Sequence, residues 1–226
     1  MWKAIACDFD GTMTEELGRL SLEVIALIRE SEKRGIAFIL SSGRPWIELK
    51  MIQRVVGASG PLICENGGIV WDPKTVEKQV LGDQKKVLKA CQVFTRQLGD
   101  FEYSNPRLRE TDVVFRGHRS GELEPLIEKE NLGVHLLESE YLTHVTDIDV
   151  DKGRALEVTA EILGIEPCEI AAIGDSHNDV ALFMAAGAGY AVGNADPRLK
   201  AVATQTMSKA AGAGCAEAIR QILREE

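Results

Sequence analysis

Four aspartates, one lysine and a few small polar residues are placed where this sequence could do chemistry. Asp8 and Asp10 stand two apart, directly after the apolar run Ala4-Ile5-Ala6-Cys7, and Gly11 follows them. Asp175 and Asp179 stand four apart, at and after the end of a second apolar run, "EIAAIGD" (169–175). Ser41, Ser42, Gly43 and Arg44 follow "IAFIL"; Glu65, Asn66 and Gly67 follow "PLIC"; Asn194 and Asp196 follow "GYAVG". Lys152 opens a helical pattern. Carboxylates brought to one place repel each other, and an unpaired buried carboxylate is costly. A hard divalent cation among them removes the conflict, and Mg2+ suits an oxygen set that keeps waters. The four histidines and five cysteines show no zinc spacing. Gly11 lets backbone N–H groups turn toward an anion, Ser42 adds a hydroxyl, and Lys152 adds a cation. Together these groups can neutralise a transferring phosphoryl group. One acid of the first pair can then attack phosphorus. The other can protonate a leaving alkoxide and afterwards activate water.

That chemistry requires elements that deliver every polar group to one edge. Residues 3–7, 36–42 and 61–66 read as continuously apolar strands. Helices are expected over Ser21–Arg34, ended by Gly35, and from Pro45 to Val56. "NGG" (66–68) turns the chain into "IVW" (69–71), which begins a hairpin with "VEKQV". After residue 150 the rhythm returns, with a helix over 151–164, a strand over 169–175, a helix over 178–186 and a strand over 189–194. A helix starts near Pro197, and "AAGAGCAEAIRQILREE" reads as a glycine-rich loop and a final helix. Alternating helices and fully apolar strands predict an α/β fold, a Rossmann-like doubly wound parallel sheet. In such sheets ligands bind outside the carboxyl ends of the strands, where the polar groups lie.

The middle of the chain breaks this rhythm. An amphipathic helix over 83–98 ends at Gly99 and is followed by the polar stretch "DFEYSNPRLRET". Strands at 112–116, 133–139 and 141–148 and a helix near 121–131 follow. This is an α+β pattern, and it predicts a small inserted cap domain at 83–149 within a core formed by 1–82 and 150–226.

Composition bounds the partners. The 226 residues carry a net charge of −9, with 45% hydrophobic and only 5% aromatic content. An acidic chain poor in aromatics speaks against a nucleic-acid partner. No stretch is long enough to cross a membrane, and Asp8 and Asp10 interrupt the one apolar run near the start, so no signal peptide is expected. Five scattered cysteines without a CxxC pair read as thiols in a reducing, cytoplasmic setting. A homodimer is compatible with the sequence, which does not specify one.

The motifs also resemble a known family. "DFDGT" (8–12), "SSGR" (41–44), "DKG" (151–153) and "GDSHND" (174–179) look, in order, like the four motifs of the haloacid dehalogenase-like phosphatases. "ENGG" (65–68) and "VGNADPRLKAVA" (192–203) resemble the Cof-type branch, whose cap is inserted between the second and third motifs. The small insertion resembles that of the archaeal phosphoglycolate phosphatases. The resemblance implies Asp8 as nucleophile and Asp10 as general acid/base. It implies Mg2+ held by Asp8, the Asp10 main chain and Asp175, with Asp179 in or beside the shell. Ser42, Gly43 and Lys152 would bind the phosphoryl group, with Asn66 and Asn194 as further substrate contacts. The expected partner is a small phosphorylated metabolite, with 2-phosphoglycolate leading.

Each feature alone has a plainer reading. "DFDG" is a turn sequence, Ser42 a helix cap, Lys152 a solvated lysine, "ENGG" a turn signal, Asp179 a helix cap and Asn194 a turn residue. Arg44 could simply pair with a carboxylate. A sugar-phosphate phosphatase or a phosphomutase keeps the same chemistry. A receiver-type phosphoacceptor domain also has an acidic pair, a hydroxyl and a lysine, but its phosphoacceptor aspartate ends the third strand, where this chain has "CENGG". Arg107, Arg109, Arg116, Arg119 and His118 in the insertion are cationic candidates to which no role is assigned.

Overall fold

A computed structural model of the chain describes residues 1–104, 107–139 and 141–225. Asn105 and Pro106, in the polar stretch after the first insertion helix, lie outside the described residues, as do residues 140 and 226. The chain forms two compact units, Met1–Gln79 with Asp151–Glu226, and Val80–Val150.

In the first unit the opening half runs β1 (Ala4–Asp8), α1 (Leu22–Lys33), β2 (Ala37–Ser41), α2 (Trp46–Val56), β3 (Leu62–Cys64), β4 (Ile69–Trp71) and β5 (Lys78–Val80). Between them, in the second unit, come α3 (Gln84–Leu98), β6 (Val113–Arg116), α4 (Ser120–Glu130), β7 (Val134–Ser139) and β8 (Leu142–Asp147). The closing half has α5 (Lys152–Leu163), β9 (Ile170–Gly174), α6 (Val180–Ala185), β10 (Ala188–Ala191), α7 (Pro197–Val202), β11 (Gln205–Thr206) and α8 (Ala211–Ile222).

The larger sheet has the order β11-β10-β9-β1-β2-β3-β4-β5. From β11 to β3 every pairing is parallel, and β4 returns antiparallel to β3. β1 is therefore central, with β2 on one side and β9 on the other. Its residues are buried on both faces, as expected for a parallel strand covered by helices. The chain leaves β1 toward β2 and β3, and later returns beside β1 with β9 and β10. The strand order reverses there, and the carboxyl ends of β1 and β9 flank the crevice where ligands of such sheets bind.

The glycine-rich segment expected to be a loop is instead the first turn of α8, with Gly212 and Gly214 both buried. A side chain at Gly214 would collide with the Lys209 carbonyl. Packing closeness, which composition does not register, selected glycine there. The two-residue β11 was also not foreseen; it is too short to carry a pattern.

The second unit is a three-stranded antiparallel sheet in the order β6-β8-β7. One face of this sheet packs on the helices. Val113, Phe115, Val134 and Val145 share a core with Val87 and Phe94 of α3 and Leu123 of α4. The amphipathic spacing of α3 accounts for its buried stripe, and Asp83 caps it by accepting the Lys85 N–H.

Candidate active site

The end of β1, the turn after β9 and the start of α5 meet at one buried ammonium. Lys152 is 1% exposed, and its Nζ donates to Asp8 Oδ1 and to Asp179 Oδ1, each at 2.6 Å. Burial disfavours its charge, but Asp179 and Asp8 overcome this and hold the amine protonated. α5 presents this lysine in its first turn, with Asp151 capping the helix by accepting the Arg154 N–H.

Asp179 is fully buried and has both oxygens engaged. Oδ1 accepts from Lys152, and Oδ2 accepts the N–H groups of Asp175 and Ser176, both at 3.1 Å. It organises the turn after β9 as well as the lysine; its side chain accepts N–H groups before it and caps no N–H of the helix that follows. Asp175 Oδ1 accepts the Thr12 hydroxyl at 2.8 Å. Thr12 is completely buried, and sequence reasoning gave it no role although it lies inside the first motif.

Asp8, Asp175 and Asp179 each offer an oxygen, all lying within 4.8 Å of one another. The electrostatics of this set are under-compensated. Burial pushes the Asp8 carboxyl well above its ordinary range; Lys152 pulls it back, and Asp179 and Asp175 push it up again. Burial and Asp179 raise Asp175 to about 6, against the pull of the Thr12 hydroxyl and Lys152. One lysine does not balance three carboxylates in a buried space. Of the triad's oxygens, Asp8 Oδ2 and Asp175 Oδ2 are not taken by Lys152, Thr12 or the backbone, and the two carboxyl groups interact with each other instead. Two carboxylate oxygens plus waters form a donor set that a small hard cation accepts. Gly11 keeps that place open: its φ is +80°, and a Cβ there would lie 2.5 Å from Asp175 Oδ2.

The expectation that four carboxylates converge needs correction. The Asp10 side chain is 49% exposed and turns to Arg44, whose Nε and an Nη each donate to it at 2.8 Å. Arg44 also reaches Glu48 at 3.4 Å. A bidentate guanidinium outcompetes the crowded acid triad for this carboxylate. Asp10 is thus absent from the side-chain cluster, and only its main chain is left as the metal contact named above. Arg44 is the residue whose importance the sequence understated.

Ser42 is buried, accepts the Arg44 N–H at 3.2 Å and donates to Asp10 Oδ2 at 3.4 Å. Gly43 lies in the same turn between β2 and α2. The Asn66 side chain accepts from Asn178 at 3.2 Å. Glu65 and Asn66 have φ of +50° and +57°, both buried, in a 3-10 turn that also contains Gly67. Left-handed backbone at two consecutive non-glycine residues costs on the order of 1 kcal/mol each and persists where surroundings impose it. Here the Glu65 and Asn66 N–H groups donate to the carbonyls of Arg44 and Ser42, tying the turns after β2 and β3 together. Asn194 accepts the Ala211 N–H at 2.7 Å and donates to the Gly11 carbonyl at 3.5 Å. It is a turn residue that also tethers the loop after β1.

Four of the five cationic candidates of the insertion are engaged locally. Arg109 pairs with buried Asp112, Arg116 with Glu102, His118 with Glu138, and Arg119 with Glu122 while stacking over Phe101.

A central β1 carrying an acid pair at the switch point, with a lysine and a second acid pair beside it, defines a class that comparison makes explicit. The sequence matches the haloacid dehalogenase-like hydrolase family over residues 5–105 and 121–219, and the chain belongs to that family. Its relatives include a protein of Archaeoglobus fulgidus named phosphoglycolate phosphatase, 39% identical over 223 residues and covering 96% of each chain. A Methanothermobacter thermautotrophicus protein of the same name is 34% identical, covering 98% of this chain and 99% of its own. A crystal structure from Thermoplasma acidophilum superposes with a TM-score of 0.89 at 24% identity, covering 99% of both chains. A haloacid dehalogenase-like hydrolase from Bacteroides thetaiotaomicron gives 0.79 at 23% identity, covering 98% of this chain and 100% of its own. Among the described residues, no helix is long and apolar enough to cross a membrane.

Proposed function

We propose that this chain is a Mg2+-dependent phosphatase that hydrolyses 2-phosphoglycolate to glycolate and phosphate through an aspartyl-phosphate on Asp8. The carrying observation is the buried Lys152 bridging Asp8 and Asp179 beside Asp175. The name shared by relatives that align along nearly the whole chain supports the substrate.

Each residue has a defined task in this reading. Lys152 orients the Asp8 carboxylate through Oδ1, and this carboxylate attacks phosphorus. Asp8 must be ionised to attack, yet its surroundings favour the protonated acid. Mg2+, held by Asp8, Asp175 and the Asp10 main chain, would supply the positive charge that keeps the carboxylate ionised and would neutralise phosphoryl oxygens. Asp179 fixes Lys152 and the turn carrying Asp175. Asp10, half exposed, protonates the leaving glycolate oxygen and then takes a proton from water. For that, the Asp10 carboxyl must leave the two Arg44 donors that hold it in this structure. Ser42 and the amides after β1 bind phosphoryl oxygens. The small acid product and five free thiols suit a cytoplasmic setting.

The test is a steady-state screen of 2-phosphoglycolate against hexose phosphates, nucleotides and p-nitrophenyl phosphate, with and without Mg2+. The expected outcome is Mg2+-dependent turnover with the highest kcat/KM for phosphoglycolate. A hexose phosphate well above phosphoglycolate would overturn the substrate assignment, and turnover indifferent to Mg2+ would overturn the metal.

A further inference from the structure

The residue immediately before the nucleophile meets a cysteine from the other end of the chain. Cys7 Sγ lies 3.6 Å from Cys215 Sγ, and both side chains are fully buried. Cys7 belongs to β1 and Cys215 to α8, so the contact joins positions 208 residues apart. The first turn of α8 carries Gly212 and Gly214. Gly212 would crowd Ser21 and Met13 if it bore a side chain, so α8 sits close over the β1 exit for want of side chains. Of the five cysteines, Cys168 is the exposed one, and Cys64 and Cys91 are buried.

We propose that Cys7 and Cys215 form a thiol/disulfide pair whose oxidation ties the nucleophile strand to the C-terminal helix and slows turnover. The two sulfurs need to approach by about 1.5 Å to reach a bond of about 2.05 Å. Asp8 is one peptide bond from Cys7, and the Cys7 thiol donates to the Asp8 carbonyl at 3.2 Å. Oxidation removes that donor and draws β1 toward α8. With hydrogen peroxide as oxidant, one thiol becomes a sulfenic acid with release of water. The second sulfur then displaces its hydroxyl as water, giving the disulfide; two thiols and one peroxide yield one disulfide and two waters. The pair is enclosed, so oxidant reaches it through local opening of α8, and the reaction is slower than oxidation of exposed Cys168.

The test treats the full chain with hydrogen peroxide, digests it without reductant and maps peptides by mass. The expected result is a peptide linking Cys7 to Cys215, two hydrogens lighter than the separate peptides and reversed by dithiothreitol. Turnover of p-nitrophenyl phosphate should fall at least about fivefold in step with linkage and recover on reduction. Cys215→Ala, which lies outside the catalytic set, should keep its turnover under the same treatment, and so should Cys215→Ser if the alanine variant folds poorly. Absence of the linked peptide would overturn the proposal. So would linked protein with unchanged turnover, or equal losses in the Cys215 variants. Peptide mapping does not depend on the substrate assignment, so its outcome stands apart from that of the substrate screen.

Discussion

The two units each bury a carboxylate cluster with a cation, and the two clusters are balanced in opposite directions. Beside β1, three carboxylates face one ammonium, and burial leaves Asp8 and Asp175 with raised proton affinity. In the inserted unit a single carboxylate faces a guanidinium and an imidazole. Asp112 accepts from Arg109 Nη1 at 2.8 Å and lies 2.9 Å from His144 Nδ1. Burial pushes Asp112 up, but His144 and Arg109 more than offset this and hold it below the ordinary carboxylate range. A cluster that satisfies itself is structural; a cluster short of positive charge is completed by something that binds. Burial alone does not tell the two apart, since Asp8 and Asp112 are both nearly inaccessible.

Substitutions should separate the clusters sharply. Asp8→Asn removes the attacking oxygen without changing shape and should lower turnover by more than about 10^4-fold with the fold intact, read by phosphatase assay and circular dichroism. Asp10→Asn should instead spare aryl phosphates with good leaving groups in the first chemical step and slow hydrolysis of the intermediate. Lys152→Met should cost roughly 10^2- to 10^3-fold in kcat, because Asp8 loses its orienting donor.

Asp112→Asn should behave the other way. It takes the buried carboxylate away from the Arg109 guanidinium and should destabilise by about 3 kcal/mol, visible as a lower urea midpoint. Activity per folded molecule should change little. If Asp112→Asn abolished turnover at full stability, the structural assignment of the Asp112 cluster would fail.

The smallest expected effect is the pH response, and its sign differs between the clusters. Asp175, raised to about 6, keeps its proton in the folded metal-free protein while the unfolded chain has released it. Metal-free stability should therefore fall as pH rises from about 4 to about 6. Mg2+ affinity should drop by up to about tenfold per pH unit below about 6, because binding must expel that proton. Asp112, held low, contributes stability that is fully present above its unfolded value and lost as pH falls through the folded one. Titration calorimetry and pH-dependent melting would show both.

Much of this arrangement could be read from residue order. Continuous apolar runs before Asp8, Ser42, Glu65 and Asp175 marked parallel strands and therefore the edge where their polar ends meet. Lys152 was legible as a cation at a helix start, but its burial was not, because it follows from Asp8, 144 positions away, and Asp179, 27 positions away. That Arg44 pairs with a carboxylate was anticipated, but that the carboxylate is Asp10 was not, since rotamer choice depends on which distant charge is within reach. Thr12 was visible as a letter of a motif, but its hydrogen bond to Asp175 joins positions 163 apart. The glycines of α8 misled because low helix propensity was outweighed by close approach.

The position of β1 between β2 and β9 also governs when the site can exist during synthesis. β2 is available once residue 41 has emerged, whereas β9 is complete only at residue 174. At ordinary translation rates, one edge of β1 waits on the order of ten seconds for its second neighbour. That edge, Ala-Ile-Ala-Cys, is apolar and invites mispairing with other chains. Lesions that weaken β9 should then register first in the yield of soluble protein, before they register in the turnover of the molecules that fold.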